Sequence, residues 1–142
     1  MSEIQTYKIE DINRLSQMHD EIVNRFDYDK DNFILYIDNL QLNSRLNLKK
    51  CKIIFSVFED LFYDVYFIFF KFKKNKIKYG KKIYLEELLK NKKNKKFEFE
   101  ILDIFLGYNV VLLSCKVYTS KKICKSKFHL YIHSKYISYY YY

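Results

Sequence analysis

The chain has 142 residues, a net charge of +9, 49% apolar and 20% aromatic residues, and no Pro or Trp. This excludes an intrinsically disordered chain and supports one domain over residues 1–142 that builds its core without staples. Ala is absent and Gly occurs only at Gly80 and Gly107, while Lys, Asn, Ile, Tyr and Phe abound. That is the codon signature of an AT-rich genome, and it discounts the basic charge as a functional clue.

Three cysteines, Cys51, Cys115 and Cys124, with no Cys-x-x-Cys spacing exclude a disulfide framework and a structural zinc site. They read as reduced core thiols in a reducing compartment. Met1 to Asp11 is polar and carries no apolar leader segment. The most apolar stretch, Ile53 to Phe72, contains Glu59, Asp60 and Asp64. No charge-free piece of it is longer than Val65 to Phe70, which falls far short of the ~20 apolar residues a membrane helix needs. The expectation is a cytoplasmic chain with no membrane partner.

The first element reads as a short helix, with Ile9, Ile12 and Leu15 recurring every third residue and an end near His19-Asp20. Strand signals follow. Ile22, Phe26 and Tyr28 share one face, Asp29 to Asn32 is a polar turn, and Phe33, Leu35 and Ile37 alternate after it, so the spacing predicts a hairpin. A parity change toward Leu40 marks a bulge at Asn39. Cys51 to Phe58 and Asp64 to Phe72 read as two more strands. The second is apolar on both faces and so belongs inside a sheet, with Asp64 and Lys71 guarding its ends. Tyr84 to Lys90 predicts a short helix, with Leu85, Leu88 and Leu89 as its apolar side and acids preceding lysine. Phe97, Phe99 and Ile101 then alternate, Leu106 to Asn109 turns the chain, and Val110 to Cys115 reads as buried on both faces. Cys124, Phe128, Leu130 and Ile132 alternate with Lys125, Lys127, His129, Tyr131 and His133, and Tyr139 to Tyr142 forms a tail or a last strand. The fold class is therefore mainly β, bordering on α+β: an antiparallel sheet or sandwich of about seven strands with one or two short helices.

Candidate sites are few. His19-Asp20 is the weak candidate for metal or acid–base chemistry, but the chain has three His in all and the pair reads first as a capped turn. His129 and His133 fall on one strand face about 13 Å apart, too far to share a metal. They read as a solvent-facing row with Lys127 and Tyr131. Glu98 and Glu100 share a face without a supporting motif. No Gly-rich phosphate loop or nucleophile elbow is present.

The charge is concentrated. Residues 1–48 hold five basic and nine acidic groups, 49–96 hold fifteen and five, and 97–142 hold six and three. Lys71, Lys73, Lys74, Lys76 and Lys78, with Lys81 and Lys82 after them, form one run and Lys90 to Lys96, with Lys92 and Lys93, another. With Phe72, Tyr79 and Tyr84 between them, these lysines are candidate anion or nucleic-acid contacts. The runs contain no Arg, however, and read first as solvated basic loops or blunted hairpin edges.

The Met18-His19-Asp20-Glu21-Ile22 entry, the hairpin after it, the Leu85-Glu86-Glu87-Leu88-Leu89 helix and the Phe97 to Ile101 and Gly107 to Leu113 hairpin resemble small bacterial β-rich proteins. Some of these are regarded as immunity proteins of polymorphic toxin systems. The resemblance implies a cytoplasmic protein-binding domain without catalysis or cofactor, and it carries over no site residue. The basic middle segment departs from it, because inhibitors of basic nucleases tend to be acidic. A nucleic-acid binder using residues 71–96 is the alternative.

Overall fold

Period-two alternation becomes ten strands, all paired antiparallel, in the computed structural model of the chain, which describes residues 3–8, 15–40, 50–57, 59–73, 76–90, 97–118 and 127–141. The strands are β1 (Glu3–Lys8), β2 (Ile22–Val23), β3 (Arg25–Asp29), β4 (Asn32–Ile37), β5 (Cys51–Val57), β6 (Val65–Lys73), β7 (Lys76–Tyr84), β8 (Glu98–Gly107), β9 (Val110–Tyr118) and β10 (Lys127–Tyr141). Two short helices, α1 (Leu61–Asp64) and α2 (Leu85–Lys90), and a 3-10 turn over Leu15–Met18 complete the described elements. The mainly β, antiparallel expectation holds, with more strands than foreseen.

β10 belongs to two sheets. Its first half pairs with β9 on one side and β6 on the other, through Lys127 to His133. Its second half pairs with β5 and β1, through Ser134 to Tyr141. The first sheet thus runs β1–β10–β5–β4–β3, and the second runs β2–β8–β9–β10–β6–β7. Phe128, Leu130, Ile132 and Ser134 are buried, then Ile137, Tyr139 and Tyr141. The parity flips because Lys135 is an extra residue in the register against β5, where Ser134 faces Val57 and Tyr136 faces Ser56. A strand that changes sheets through a bulge is how packed β layers turn a corner. Ser134 pins this corner: its buried Oγ donates toward the carbonyl oxygens of Ser56 (2.6 Å) and Tyr136 (2.9 Å), and its amide donates to Asn109 O (2.9 Å). A second link lies at Asn24, where the chain leaves β8 and joins β4 through Asn24 N–H to Tyr36 O, 2.8 Å.

The inner faces of both sheets meet in one core. Phe128 touches the rings of Phe67, Phe69, Phe97 and Phe99 at centroid distances of 5.2–5.8 Å. Phe26 of the first sheet reaches Phe67 of the second at 5.7 Å. Tilted and edge-on ring pairs of this kind add to plain area burial.

Several expectations change. β1 is a strand that the polar N-terminus did not announce, and residues 9–14 of the expected first helix lie outside the described residues; its end at His19-Asp20 is a turn. The strand predicted from Ile22 to Tyr28 is broken at Asn24, and Val23 rather than Ile22 is buried. No strand continues to Asn39: β4 ends at Ile37, so the expected bulge is a strand end. α1 was unforeseen. Asp60 caps it by accepting from Phe62 N–H, and the Asp64 carboxylate accepts from the amides of Glu59 (2.6 Å) and Asp60 (2.8 Å). β9 is buried on one face only, at Val111, Leu113 and Cys115. The first lysine run is not a loop: Lys71, Lys73, Lys76 and Lys78 fall within β6 and β7, with Lys78 the extra residue of a second bulge. The Tyr tail is the end of a paired strand, where Tyr139 is fully buried. Cys51 and Cys115 are buried free thiols, and Cys124 lies outside the described residues.

Candidate functional site

The outer face of the second sheet carries a continuous row. Antiparallel register sets Tyr84, Tyr66, Tyr131, Leu112 and Phe105 side by side across β7, β6, β10, β9 and β8. One step along, Lys82, Ile68, His129, Ser114 and Asp103 form a second row, and Gly80, Phe70, Lys127, Lys116 and Glu100 a third. None of these fifteen residues is buried, whereas the inner faces of the same central strands are. The face exists because β6 was patterned to be apolar on both sides, and its even-numbered residues point away from the core.

The rings interlock. Tyr66 and Tyr131 are stacked at 4.9 Å and 14°, Tyr84 meets Tyr66 edge-on at 5.9 Å, and Tyr63 of α1 extends the line to Tyr84 at 5.4 Å. Stacking at close to the spacing between strands means the two rings stand upright on the sheet with their faces turned to each other. Lys82 Nζ lies 4.2 Å from the Tyr66 centroid and 4.7 Å from that of Tyr84, a cation–π placement. A hydrogen bond that Lys82 donates to the Tyr84 oxygen holds its ammonium charged to higher pH than usual, and burial raises Tyr66, opposed by the Lys82 charge. The face therefore presents ring edges, hydroxyls and ammonium groups.

His129 and His133 do share this face with Lys127 and Tyr131, and both are half-buried rather than freely solvated. His129 packs edge-on against Phe70 at 4.6 Å, and desolvation lowers its pKa. His133 Nε2 lies 3.4 Å from Tyr66 Oη. These contacts were hidden from the sequence because they join strands 60 or so positions apart.

The other candidates separate. Lys71, Lys73, Lys76 and Lys78 sit at the far end of the β6–β7 hairpin, beyond the third row, while Lys74, Lys92 and Lys93 lie outside the described residues. His19 Nδ1 is 2.9 Å from Asp20 Oδ2, with both side chains exposed, in a turn where Asp20 adopts φ 69° and its amide donates to Ile101 O. They line a cavity of about 510 Å³ with Glu21, Asn24, Glu98 and Tyr118. Among the described residues no three His, Cys, Asp or Glu side chains group as metal ligands. Glu98 and Glu100 occupy neighbouring rows opposite Tyr118 and Lys116.

Comparison with known protein families, with curated proteins and with solved structures gives no match. No helix among the described residues is long and apolar enough to cross a membrane.

Proposed function

We propose that the chain is a non-enzymatic binding protein whose working surface is the outer face of the second sheet, and that its occupant is another protein bearing acidic groups beside an apolar patch. The observation that carries this reading is the unbroken Tyr84–Tyr66–Tyr131–Leu112–Phe105 row on a face where nothing is buried. Tyrosines give large contact area with few rotors to freeze, which is why they anchor protein interfaces. Lys82 and Lys127 rim the β7–β6–β10 part of the row on the side from which the lysine-rich hairpin extends, with Asp103 and Glu100 at the β8 end, so charge complementarity asks for acidic groups over the tyrosines. An immunity-type role is one form of this function.

Nucleic acid fits the face less well. Bases stack on rings that lie flat and open, whereas Tyr66 and Tyr131 spend their faces on each other. The test is reconstitution with a purified partner recovered on the wild-type chain. Tyr131→Glu and Lys127→Glu are expected to weaken binding by about 30-fold or more, the scale of an interface hot spot. Lys52→Glu, on the outer face of the first sheet, is expected to leave it unchanged. Equal effects on both faces, or tight binding of a single-stranded oligonucleotide with a linear log–log salt dependence instead, would overturn the reading.

A further inference from the structure

A second surface lies at the edge of the first sheet. β3 has β4 on one side, and among the described residues no strand on the other. The hairpin turns in two residues, Lys30 and Asp31, with Asp29 paired to Asn32. Hydrogen-bonding groups alternate sides along an antiparallel strand, so Arg25, Asp27 and Asp29 bond toward β4 and Phe26 and Tyr28 aim theirs outward. The Tyr28 amide confirms the direction, because it donates to the Asp27 carboxylate (Oδ1, 2.8 Å) and not to β4. Along this edge runs a groove of about 820 Å³, with residues 24–28 as one wall and Phe62, Glu86, Leu89 and Lys90 as the other, the two meeting at one end where the Tyr28 ring lies edge-on to Phe62 at 5.6 Å. Phe62 and Leu89 are half-buried and rest on the core, so the far wall is apolar at its base.

We propose that this groove takes an extended, uncharged segment of a partner protein as an added strand beside β3, its backbone bonded to Phe26 and Tyr28 and alternate apolar side chains set against Phe62 and Leu89. Three observations choose this occupant. A wall of main-chain donors and acceptors at strand spacing recognises a backbone rather than a small molecule. Most of the charges at the rim are already engaged: Lys90 Nζ lies 3.1 Å from Glu86 Oε1, the Arg25 guanidinium lies 3.7 Å from the Tyr36 ring centroid on the outer face, and Asp27 accepts from the Tyr28 amide. A second copy of the chain fits poorly, because antiparallel pairing of two β3 edges through Phe26 and Tyr28 would set Asp27 directly opposite its own counterpart, and like charges so placed repel. Asp27 thus acts as a latch that occupies the Tyr28 amide until a strand displaces it. This surface is separate from the tyrosine row and stands or falls independently of it.

The probe is a capped heptapeptide, acetyl-Thr-Val-Thr-Val-Thr-Val-Thr-amide, titrated into the full-length ¹⁵N-labelled chain. The expected result is saturable shifts of the Phe26 and Tyr28 amides and of α2, lost when the edge-facing amides of the peptide are N-methylated. Asp27→Ala is expected to bind the peptide about fivefold more tightly, the worth of one competing hydrogen bond. No shift at β3, equal binding of the N-methylated peptide, or an Asp27→Ala chain that dimerises without taking the peptide overturns the proposal.

Discussion

The two outer faces are built from the same residue types and differ in how the strands line them up. On the first sheet, register alternates cation and ring across strands: Arg25 faces Tyr36, and Lys52 lies between Tyr36 and Tyr140, 5.0 Å from the latter ring. Beside them Ile34, also on the outer side, is only 8% exposed. On the second sheet three tyrosines and Phe105 fall in one row, and the cations stand at its rim. Cations alternate with rings across the first face, whereas on the second Lys82 serves both Tyr66 and Tyr84 and the row runs on through Tyr131, Leu112 and Phe105. Composition cannot tell the two faces apart; only register does.

That register depends on Lys135, so the largest effect is expected from its deletion. Without the extra residue, burying Phe128, Leu130 and Ile132 would turn Ile137, Tyr139 and Tyr141 to solvent, or the reverse. The expected outcome is loss of the cooperative urea transition. A deletion variant that unfolds like the wild type would show that β10 is not a shared corner strand.

Phe128→Ala comes next. The side chain is fully buried and is the hub of four ring contacts. A loss of about 3–5 kcal/mol is expected from urea midpoints, against about 2–5 for Ile137→Ala in the other half of the strand. An Ile137→Ala cost above that of Phe128→Ala would place the centre of the core in the first sheet. Ser134→Ala tests the corner itself. It removes a buried hydroxyl from two carbonyl oxygens, at an expected cost of about 1–3 kcal/mol with the tyrosine row intact. A Ser134→Ala chain as stable as the wild type would show that the bulge holds without its hydroxyl anchor.

What the residues declare in advance follows from the range of each interaction. The β3–β4 hairpin, β5, β6, α2 and the turn at Tyr108-Asn109 depend on neighbours within a few positions, and their alternation or turn chemistry is visible locally. α1 is too short for a helical stripe. β1 carries almost no apolar signal of its own, since Glu3 to Lys8 becomes a strand only by pairing with Tyr136 to Tyr141. The bulge at Lys135 leaves a trace, since Ile132 and Ile137 are five apart and the apolar parity changes between them, but the Tyr136 and Tyr139 to Tyr142 rings occupy both parities and blur it. The tyrosine row joins Tyr66, Tyr84, Leu112, Phe105 and Tyr131, and sequence separations of that size carry no periodic trace. Of the two readings open for the first lysine run, a solvated loop or a blunted hairpin edge, the edge fits: among the described residues β7 pairs only with β6, and lysines on an edge guard against further pairing.

The smallest expected effect is a pH dependence confined to the second sheet. His129 lies between Ile68 of β6 and Ser114 of β9, with Phe70 against its ring, Lys82 in the same row and Lys127 and Tyr131 beside it on β10. Burial disfavours its charged form and no carboxylate is placed opposite it, so its folded pKa lies below the ordinary 6.5. The native state then binds fewer protons than the unfolded chain in this range. Its contribution to stability is complete above 6.5, declines as pH falls through 6.5, and levels off below the folded pKa. Urea midpoints measured between pH 8 and pH 5 are expected to fall slightly more steeply for the wild type than for His129→Gln, which keeps the polar side chain without the titration. Parallel slopes would mean that the half-open face hydrates the imidazole as freely as an unfolded chain does, and that the ring row is wetter than its packing implies.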